Sequence, residues 1–322
     1  MKKALITGIT GQDGSYLAQL LLKKNYQVIG LVSPHNDIGH HNIKDFENKL
    51  ILETGDLLDY QSLKSIILKY QPDQIYNLAG ISFIPTSWQK PLLTHDVNAL
   101  GPLRILDIIK KNNLKTKFLQ ASSAKIFAQG KKAKLNETSP LGPSDPYGVS
   151  KLDAHLTTQL FRSQGLFAAT AILFNHESEK RGPEFVSRKI TQSAAKIKLG
   201  LETKLALGNL KSQGDWGYAP DYVIGMWQIL DHKKPDDFVL ATGKLHTVSH
   251  ICQTAFSYLG LNFKDYVHRD DQFWRPAPKI AYYGDPSKAE TVLSWKRSIS
   301  FEKMIQKMVD YDLALLKNKK IQ

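Results

Sequence analysis

A single cysteine, Cys252, among 322 residues excludes an internal disulfide framework. Its surroundings, Ser249-His250-Ile251-Cys252-Gln253, offer no metal-ligand spacing, so it reads as a buried structural thiol. No apolar run reaches the ~18 residues of a membrane span, and Met1-Lys2-Lys3 leads into a strand-like segment rather than a signal-peptide core. A cytoplasmic protein with no membrane partner is the expectation. Arginine-rich runs, zinc-finger spacings and RNA-recognition signatures are missing too. Lys+Arg at 43 against Asp+Glu at 30 leaves +13, but the lysines are scattered, as in Lys23-Lys24, Lys110-Lys111 and Lys131-Lys132. That pattern is a solvated surface charge and not a nucleic-acid footprint.

What is present is the balance of a folded protein, with 42% hydrophobic and 23% charged residues, which argues against disorder. Short β-rich runs alternate with helical patterns through the first half. Strands are expected at 4–7, 28–32, 50–52, 74–78, 117–121 and 168–173, with helices at 60–70, 97–111 and 146–161 among those between them. This alternation predicts an α/β fold, a doubly wound parallel sheet of the Rossmann kind. The polar stretch 175–183 breaks the rhythm. Beyond it, helices at 184–199 and 221–230 and strands at 204–207 and 237–242 suggest a smaller C-terminal α/β lobe. The expected division is residues 1–174 for a dinucleotide-binding domain and 175–322 for the second lobe, with some of its segments returning to the first.

Three motifs carry chemistry. Thr7-Gly8-Ile9-Thr10-Gly11-Gln12-Asp13-Gly14 falls between the first strand and the first helix, where the chain must turn tightly and bring its amides close to a ligand. A helix N-terminus there supplies donors and a favourable dipole for a pyrophosphate, so a dinucleotide is expected against Gly8, Thr10, Gly11, Gln12, Asp13 and Gly14. The second strand ends in Leu31-Val32-Ser33-Pro34-His35, without the acidic residue that holds an NAD ribose or the arginine that holds an NADP phosphate. Asp56 could accept from an adenine amino group or cap a helix. Tyr147-Gly148-Val149-Ser150-Lys151 sets a phenol and an ammonium at i and i+4 on one helix face, and Ser122-Ser123 ends the fifth strand. Such a set can take a proton from an alcohol while a hydride leaves to a nicotinamide.

Taken together, these stretches resemble the extended short-chain dehydrogenase/reductase superfamily, and within it the GDP-mannose 4,6-dehydratase family. The resemblance spans nearly the whole chain. It is carried by Gly8-Ile9-Thr10-Gly11-Gln12-Asp13-Gly14-Ser15-Tyr16-Leu17, Asn77-Leu78-Ala79-Gly80, Pro146-Tyr147-Gly148-Val149-Ser150-Lys151, Leu173-Phe174-Asn175-His176-Glu177-Ser178, Asp215-Trp216-Gly217 and Gly284-Asp285-Pro286-Ser287-Lys288-Ala289. It implies a homo-oligomeric lyase that holds NADP, oxidises a GDP-linked sugar at C4, removes the C5 proton, eliminates water from C6 and returns the hydride there. By position it implies Tyr147 as the C4 base, Lys151 as the group lowering its pKa and Ser123 as the hydroxyl bonded to the C4 oxygen. Asp56, Leu57, Leu78 and Ala79 join the cofactor set, and Ser82, Asn175, Glu177, Arg181, Lys189 and Arg275 the substrate set. No metal is implied.

Three positions depart from the family pattern. Lys125 stands where the family carries the glutamate that works on C5 and C6, and an ammonium cannot accept a proton. Gly214 stands where an arginine usually precedes Asp215-Trp216. Ser33-Pro34 replaces paired arginines near the NADP phosphate, which leaves NAD open as the cofactor. The alternatives are therefore a C4 oxidoreductase or epimerase that omits elimination, or a catalytically silent nucleotide-binding protein.

Overall fold

The computed structural model describes residues 1–35, 39–128, 133–271 and 280–321. Seven strands form one parallel sheet: β1 (Lys3–Thr7), β2 (Gln27–Val32), β3 (Ile51–Thr54), β4 (Gln74–Asn77), β5 (Lys117–Ser123), β6 (Ala168–Leu173) and β7 (Asp237–Leu240). Their order is β7-β6-β5-β4-β1-β2-β3. Progress along the chain reverses direction between β1 and β4, and the crevice at that reversal is where such sheets bind ligands. The strand interiors are largely apolar, because helices cover both faces: α1 (Gln12–Lys23), α2 (Tyr60–Tyr70), α3 (Gly101–Lys111), α4 (Pro146–Ser163) and α6 (Ala219–Asp231). One core cluster joins Leu17, Ala18 and Leu21 of α1 to Met226 and Leu230 of α6, and another packs Leu63, Ile105 and Ile109 against Leu5 and Ile75.

The expected helix at 97–111 proves to be two pieces. Residues Asp96–Leu100 form a wide π turn, and α3 starts at Gly101. Pro102 has no N–H to give to the carbonyl one turn back, so the ordinary ladder cannot pass through it. The strand expected at 237–242 stops at Leu240, because the next residues turn around the buried carboxylate of Asp215. That carboxylate accepts from the Thr242, Gly243 and Gly284 amides at 2.9, 3.0 and 3.2 Å.

The remaining elements form a second core. Helices α5 (Val186–Lys198), α7 (Val248–Tyr258) and α8 (Phe301–Ile321) pack Ile190, Ala194, Phe256, Met304, Ile305 and Met308 together. Cys252 is wholly buried there, and burial pushes its thiol up to about 12, which makes it inert. Two-residue and three-residue ladders tie this lobe together, Leu205–Leu207 with Val267–Arg269 and Gln213–Gly214 with His246–Thr247. Yet β7 and α6, which lie in the second half of the sequence, belong to the main sheet and its covering layer.

A buried charge cluster fixes that return. Asp237, at the start of β7, accepts from both Arg162 nitrogens at 2.8 and 2.7 Å and from Gln159 at 2.7 Å, both residues lying on α4. Removing one partner of a buried pair strands the other charge, so Arg162→Ala should lose about 3–5 kcal/mol in chemical denaturation. Burial works against the Asp237 carboxylate, but Arg162 outweighs it and holds the pKa below the usual value. This contribution is therefore present above the ordinary aspartate range and fades as pH falls through the depressed folded value. Asp237→Asn should flatten that acid limb.

Candidate active site

The site is assembled at the carboxyl ends of β1, β4 and β5. Thr7 closes the first junction: its hydroxyl donates to Asn77 Oδ1 at 2.8 Å and accepts from the Leu78 and Ala79 amides at 3.1 Å each. The glycine loop sits on this junction. Gly8 has φ +71°, and a Cβ there would lie 2.8 Å from the Ala79 nitrogen; one on Gly14 would lie 2.2 Å from the Gly8 oxygen. Only glycine fits either position. The Thr10 carbonyl accepts from Asn42 Nδ2 at 2.9 Å, which props the loop from outside. Helix α1 has Gly11 as its N-cap and no side-chain cap, so its first-turn amides face the crevice as anion donors. These residues fit a dinucleotide pyrophosphate.

At the ribose end, Asp56 is engaged by protein. Ser33 donates to it at 3.0 Å and the Leu58 amide at 3.0 Å, so it bridges the ends of β2 and β3. The Leu57 side chain is buried under Gly101, and its carbonyl accepts from Arg104 at 3.0 Å. Leu57 can therefore meet a ligand only through the remaining edge of its backbone.

On the other side of the crevice, Asp145 caps α4 by accepting from the Gly148 amide at 2.7 Å, with Pro146 in the first turn. This start turns Tyr147 and Lys151 to the sheet. Burial pushes the Tyr147 phenol up, while the Ser123 hydroxyl and the Arg181 charge pull it down. Lys151 is 5% exposed, donates to the Ala121 carbonyl at 2.9 Å and lies 5.9 Å from the Tyr147 ring centre. Burial lowers its pKa to about 8. Burial prevails over Ser123 and Arg181, so the phenol stays above its ordinary value, and the Lys151 ammonium is bonded to backbone.

Asn98, which sequence reasoning did not single out, stands beneath this set. Its amide bonds Ile81 N at 2.9 Å, Ile81 O at 3.0 Å and Ser150 Oγ at 3.1 Å. It sits in the π turn, and a Cβ on Gly80 would lie 2.8 Å from its oxygen and 3.5 Å from Lys151 Nζ. The signal was Gly80 and Pro102 flanking it. His176 was also passed over, although it lay inside a quoted motif; its Nε2 pairs with Asp13 at 2.8 Å.

The substrate set is spread along the mouth. Ser82 and Asn175 are exposed. Glu177 is 2% exposed and committed to protein, with Arg181 Nε at 3.1 Å and the Ser187 hydroxyl donating to it, so it reaches a ligand only through Arg181. The Arg181 guanidinium stacks on Phe185 at 3.5 Å, and Phe185 meets Phe83 edge-on. Lys189 is half-buried and lowered by burial. Arg275 lies outside the described residues. Lys125 occupies the turn just after Ser123, where its amide donates to Ser123 Oγ at 3.2 Å; its ammonium forms no hydrogen bond or ion pair among the described residues. At Gly214 a Cβ would lie 3.0 Å from both Asn175 Nδ2 and the Trp216 ring, so Asn175 fills the space a side chain would claim.

A doubly wound sheet, a glycine loop and a buried Ser-Tyr-Lys set at its carboxyl edge define a nucleotide-binding protein of the extended short-chain dehydrogenase/reductase class. The family model for GDP-mannose 4,6-dehydratase matches residues 5–308. GDP-mannose 4,6 dehydratase 2 of Arabidopsis thaliana is 45% identical over 99% of this chain and 89% of its own, and the human GDP-mannose 4,6 dehydratase 38% over 98% and 92%. This chain belongs to the GDP-mannose 4,6-dehydratase family. Among solved structures, dTDP-glucose 4,6-dehydratase of Bacillus anthracis superposes with a TM-score of 0.85 at 20% identity, covering 99% of this chain and 98% of that one. UDP-glucose 4-epimerase of Thermus thermophilus gives 0.83 at 21% over 96% and 98%. Both share the fold.

Burying the Lys151 ammonium opposes folding until a ligand compensates. Stability should rise with pH between about 8 and the lysine's unfolded value, because there the unfolded chain binds the extra proton. Lys151→Met, which keeps the stem and removes the charge, should give a ligand-free Tm at least equal to the wild type's while abolishing turnover; calorimetry and a product assay check both.

Proposed function

We propose that this chain is a nucleotide-sugar dehydratase that takes a GDP-linked hexose and works with a bound nicotinamide dinucleotide, NADP in preference to NAD. The observation that carries this reading is the meeting of Ser123, Tyr147 and Lys151 beside the glycine loop in a chain of this family. When bound, the dinucleotide supplies a hydride acceptor and donor. Tyr147 takes the proton of the sugar C4 hydroxyl, and Ser123 holds that oxygen in place while the carbonyl forms. Lys151 supplies positive charge beneath them, held there by the Ala121 carbonyl that accepts from its ammonium at 2.9 Å. Arg181, Lys189 and Arg275 are the cations assigned to the diphosphate, with Asn175 at the mouth, since guanidinium forks and ammonium groups match phosphate oxygens.

Lys125 favours a second reading. Its position beside Ser123 puts an ammonium where the family carries a carboxylate, so proton removal from C5 lacks its ordinary base, and C4 oxidation or epimerisation without elimination follows. Incubation with GDP-mannose and NADP should give a product lighter by one water. Absence of any oxidised product over a panel of GDP-sugars would sink the enzyme reading. If Lys125 cripples elimination, Lys125→Glu should raise it about 100-fold; if Lys125 is the base, the same change should abolish turnover. Exchange of C5 hydrogen with deuterated solvent marks deprotonation there and separates the two.

The partner beyond substrate is a second copy of the chain. Val149, Leu156 and Leu160 recur on the outer face of α4, and Leu92, Trp88 and Leu103 lie exposed on neighbouring helices, Leu92 at 86% and Leu160 at 55%. An apolar stripe of this kind on one helix can meet its own copy across a two-fold axis. Leu156→Glu with Leu160→Glu should convert a sedimenting dimer to monomer. No helix among the described residues is long and apolar enough to cross a membrane, and a cytoplasmic setting suits a sugar-nucleotide substrate.

A further inference from the structure

Asp13 presents a problem that the cofactor loop alone does not solve. A carboxylate in the first turn of α1 stands beside the amides that receive a pyrophosphate, where a second negative charge is unwelcome. Its partner is His176. The ring's Nε2 lies 2.8 Å from Asp13 Oδ2, and its Nδ1 lies 2.7 Å from the Phe174 carbonyl oxygen. Both neighbours are acceptors, whereas a neutral imidazole carries one N–H. The pair therefore holds one proton more than a neutral histidine and a carboxylate would share. Gln12 Nε2 also donates to the Asp13 carboxylate at 3.1 Å, which keeps it ionised and puts the extra proton on the ring.

We propose that His176, as an imidazolium paired with Asp13, is a positioning residue that holds the glycine loop in its dinucleotide-binding shape and couples it to the sugar-nucleotide segment. The proposal rests on the functional reading above. The coupling runs through one stretch of chain. Gln12 donates to the His176 carbonyl at 3.1 Å and accepts from Ser178 Oγ at 2.8 Å, and Lys180 Nζ donates to Ser15 Oγ at 3.2 Å and Asn42 O at 2.8 Å. Residues 174–180 thus grip the loop at several points, and the same stretch carries Asn175 and Glu177 and leads directly to Arg181. Movement of one ligand site strains the other.

The charged and titratable groups facing the pair are Arg181 on that stretch, Tyr147 and Lys151 on α4, and Tyr222 on α6, whose ring stacks on the imidazole at 4.7 Å. Burial lowers the His176 pKa, but Asp13 outweighs it and the net direction is up; burial raises Asp13, but His176 outweighs it and the net direction is down. The contact is therefore complete between the depressed aspartate value and the raised histidine value. It is lost as pH rises through the raised histidine value, and on the acid side as pH falls through the depressed aspartate value.

Nitrogen NMR of the imidazole in the full, ligand-free chain should show both His176 nitrogens protonated at pH 7, and a neutral ring there would overturn the proposal. NADPH affinity, read by fluorescence against pH, should fall about tenfold as the wild-type ring deprotonates. Asp13→Asn and His176→Asn should bind about tenfold more weakly at pH 7 and show no such step. In the wild type GDP should tighten NADPH binding, and both variants should lose that effect. Asp13→Asn is nearly isosteric, and its circular dichroism serves as the check on folding. An alkaline step unchanged in a folded variant sinks the coupling alone; a wild type that binds neither NADPH nor GDP sinks the functional reading and the coupling together, leaving the ring's protonation state for the NMR to decide.

Discussion

The carboxyl ends of β1 and β4, paired in the sheet as far as Thr7 and Asn77, are locked by one hydroxyl, and the rest of the site is hung from that junction. Thr7 satisfies two amides and one side-chain amide at once, so the chain leaving β1 can turn into Gly8 while the chain leaving β4 passes within van der Waals contact of it. Because Gly8 leaves no room for a Cβ, the two ends approach as closely as backbone allows. The crevice beside them brings together the N-terminus of α1 and the ends of three strands. A dinucleotide can lie there only if that approach is kept.

Charge placement around the junction shows how the protein divides stability and chemistry. Asp237 and Arg162 neutralise each other fully, with complementary geometry, and serve to bind the seventh strand to α4. Lys151 is treated differently: its ammonium is buried against a carbonyl, with the Asp13 charge near but no ion pair formed among the described residues, so it is held at a cost that a bound substrate and cofactor can offset. Asp13 and His176 lie between these cases, paired with each other but placed where their charge also shapes a ligand site. Active sites store unfavourable burial of this kind because a group poised near neutrality moves protons readily.

The departures from the family pattern fall into two physical kinds. At Gly214 the surroundings have adapted, since Asn175 and Trp216 occupy the volume that a side chain would need, and the two-residue ladder to His246 stays intact. At Lys125 the backbone is held locally, with its amide donating to Ser123 Oγ and its carbonyl packed against Gly148, while the side chain is opposite in sign to the family's glutamate. The first kind changes the shape of the mouth. The second reverses the charge beside Ser123.

Local sequence was enough for the doubly wound sheet, the glycine loop and the Tyr-x-x-x-Lys pair, because each depends on periodicity or on residues within one turn of each other. Glycine at 8 and 14 and the i, i+4 spacing of Tyr147 and Lys151 act through neighbours in the chain. What could not be read that way are contacts between distant segments: Asn98 bonded to Ile81 and Ser150, His176 against Asp13, and the carboxylate of Asp56 taken up by Ser33. Which segments return to the first sheet, β7 and α6, belongs with them, since a strand's pattern states that it is buried but not beside which neighbour. Sequence by itself determined which elements form and which side chains can do chemistry, for these follow from local torsional preference and residue type. Tertiary structure decided which of those side chains are free to act, because only packing sets who accepts from whom and what stays charged when water is removed.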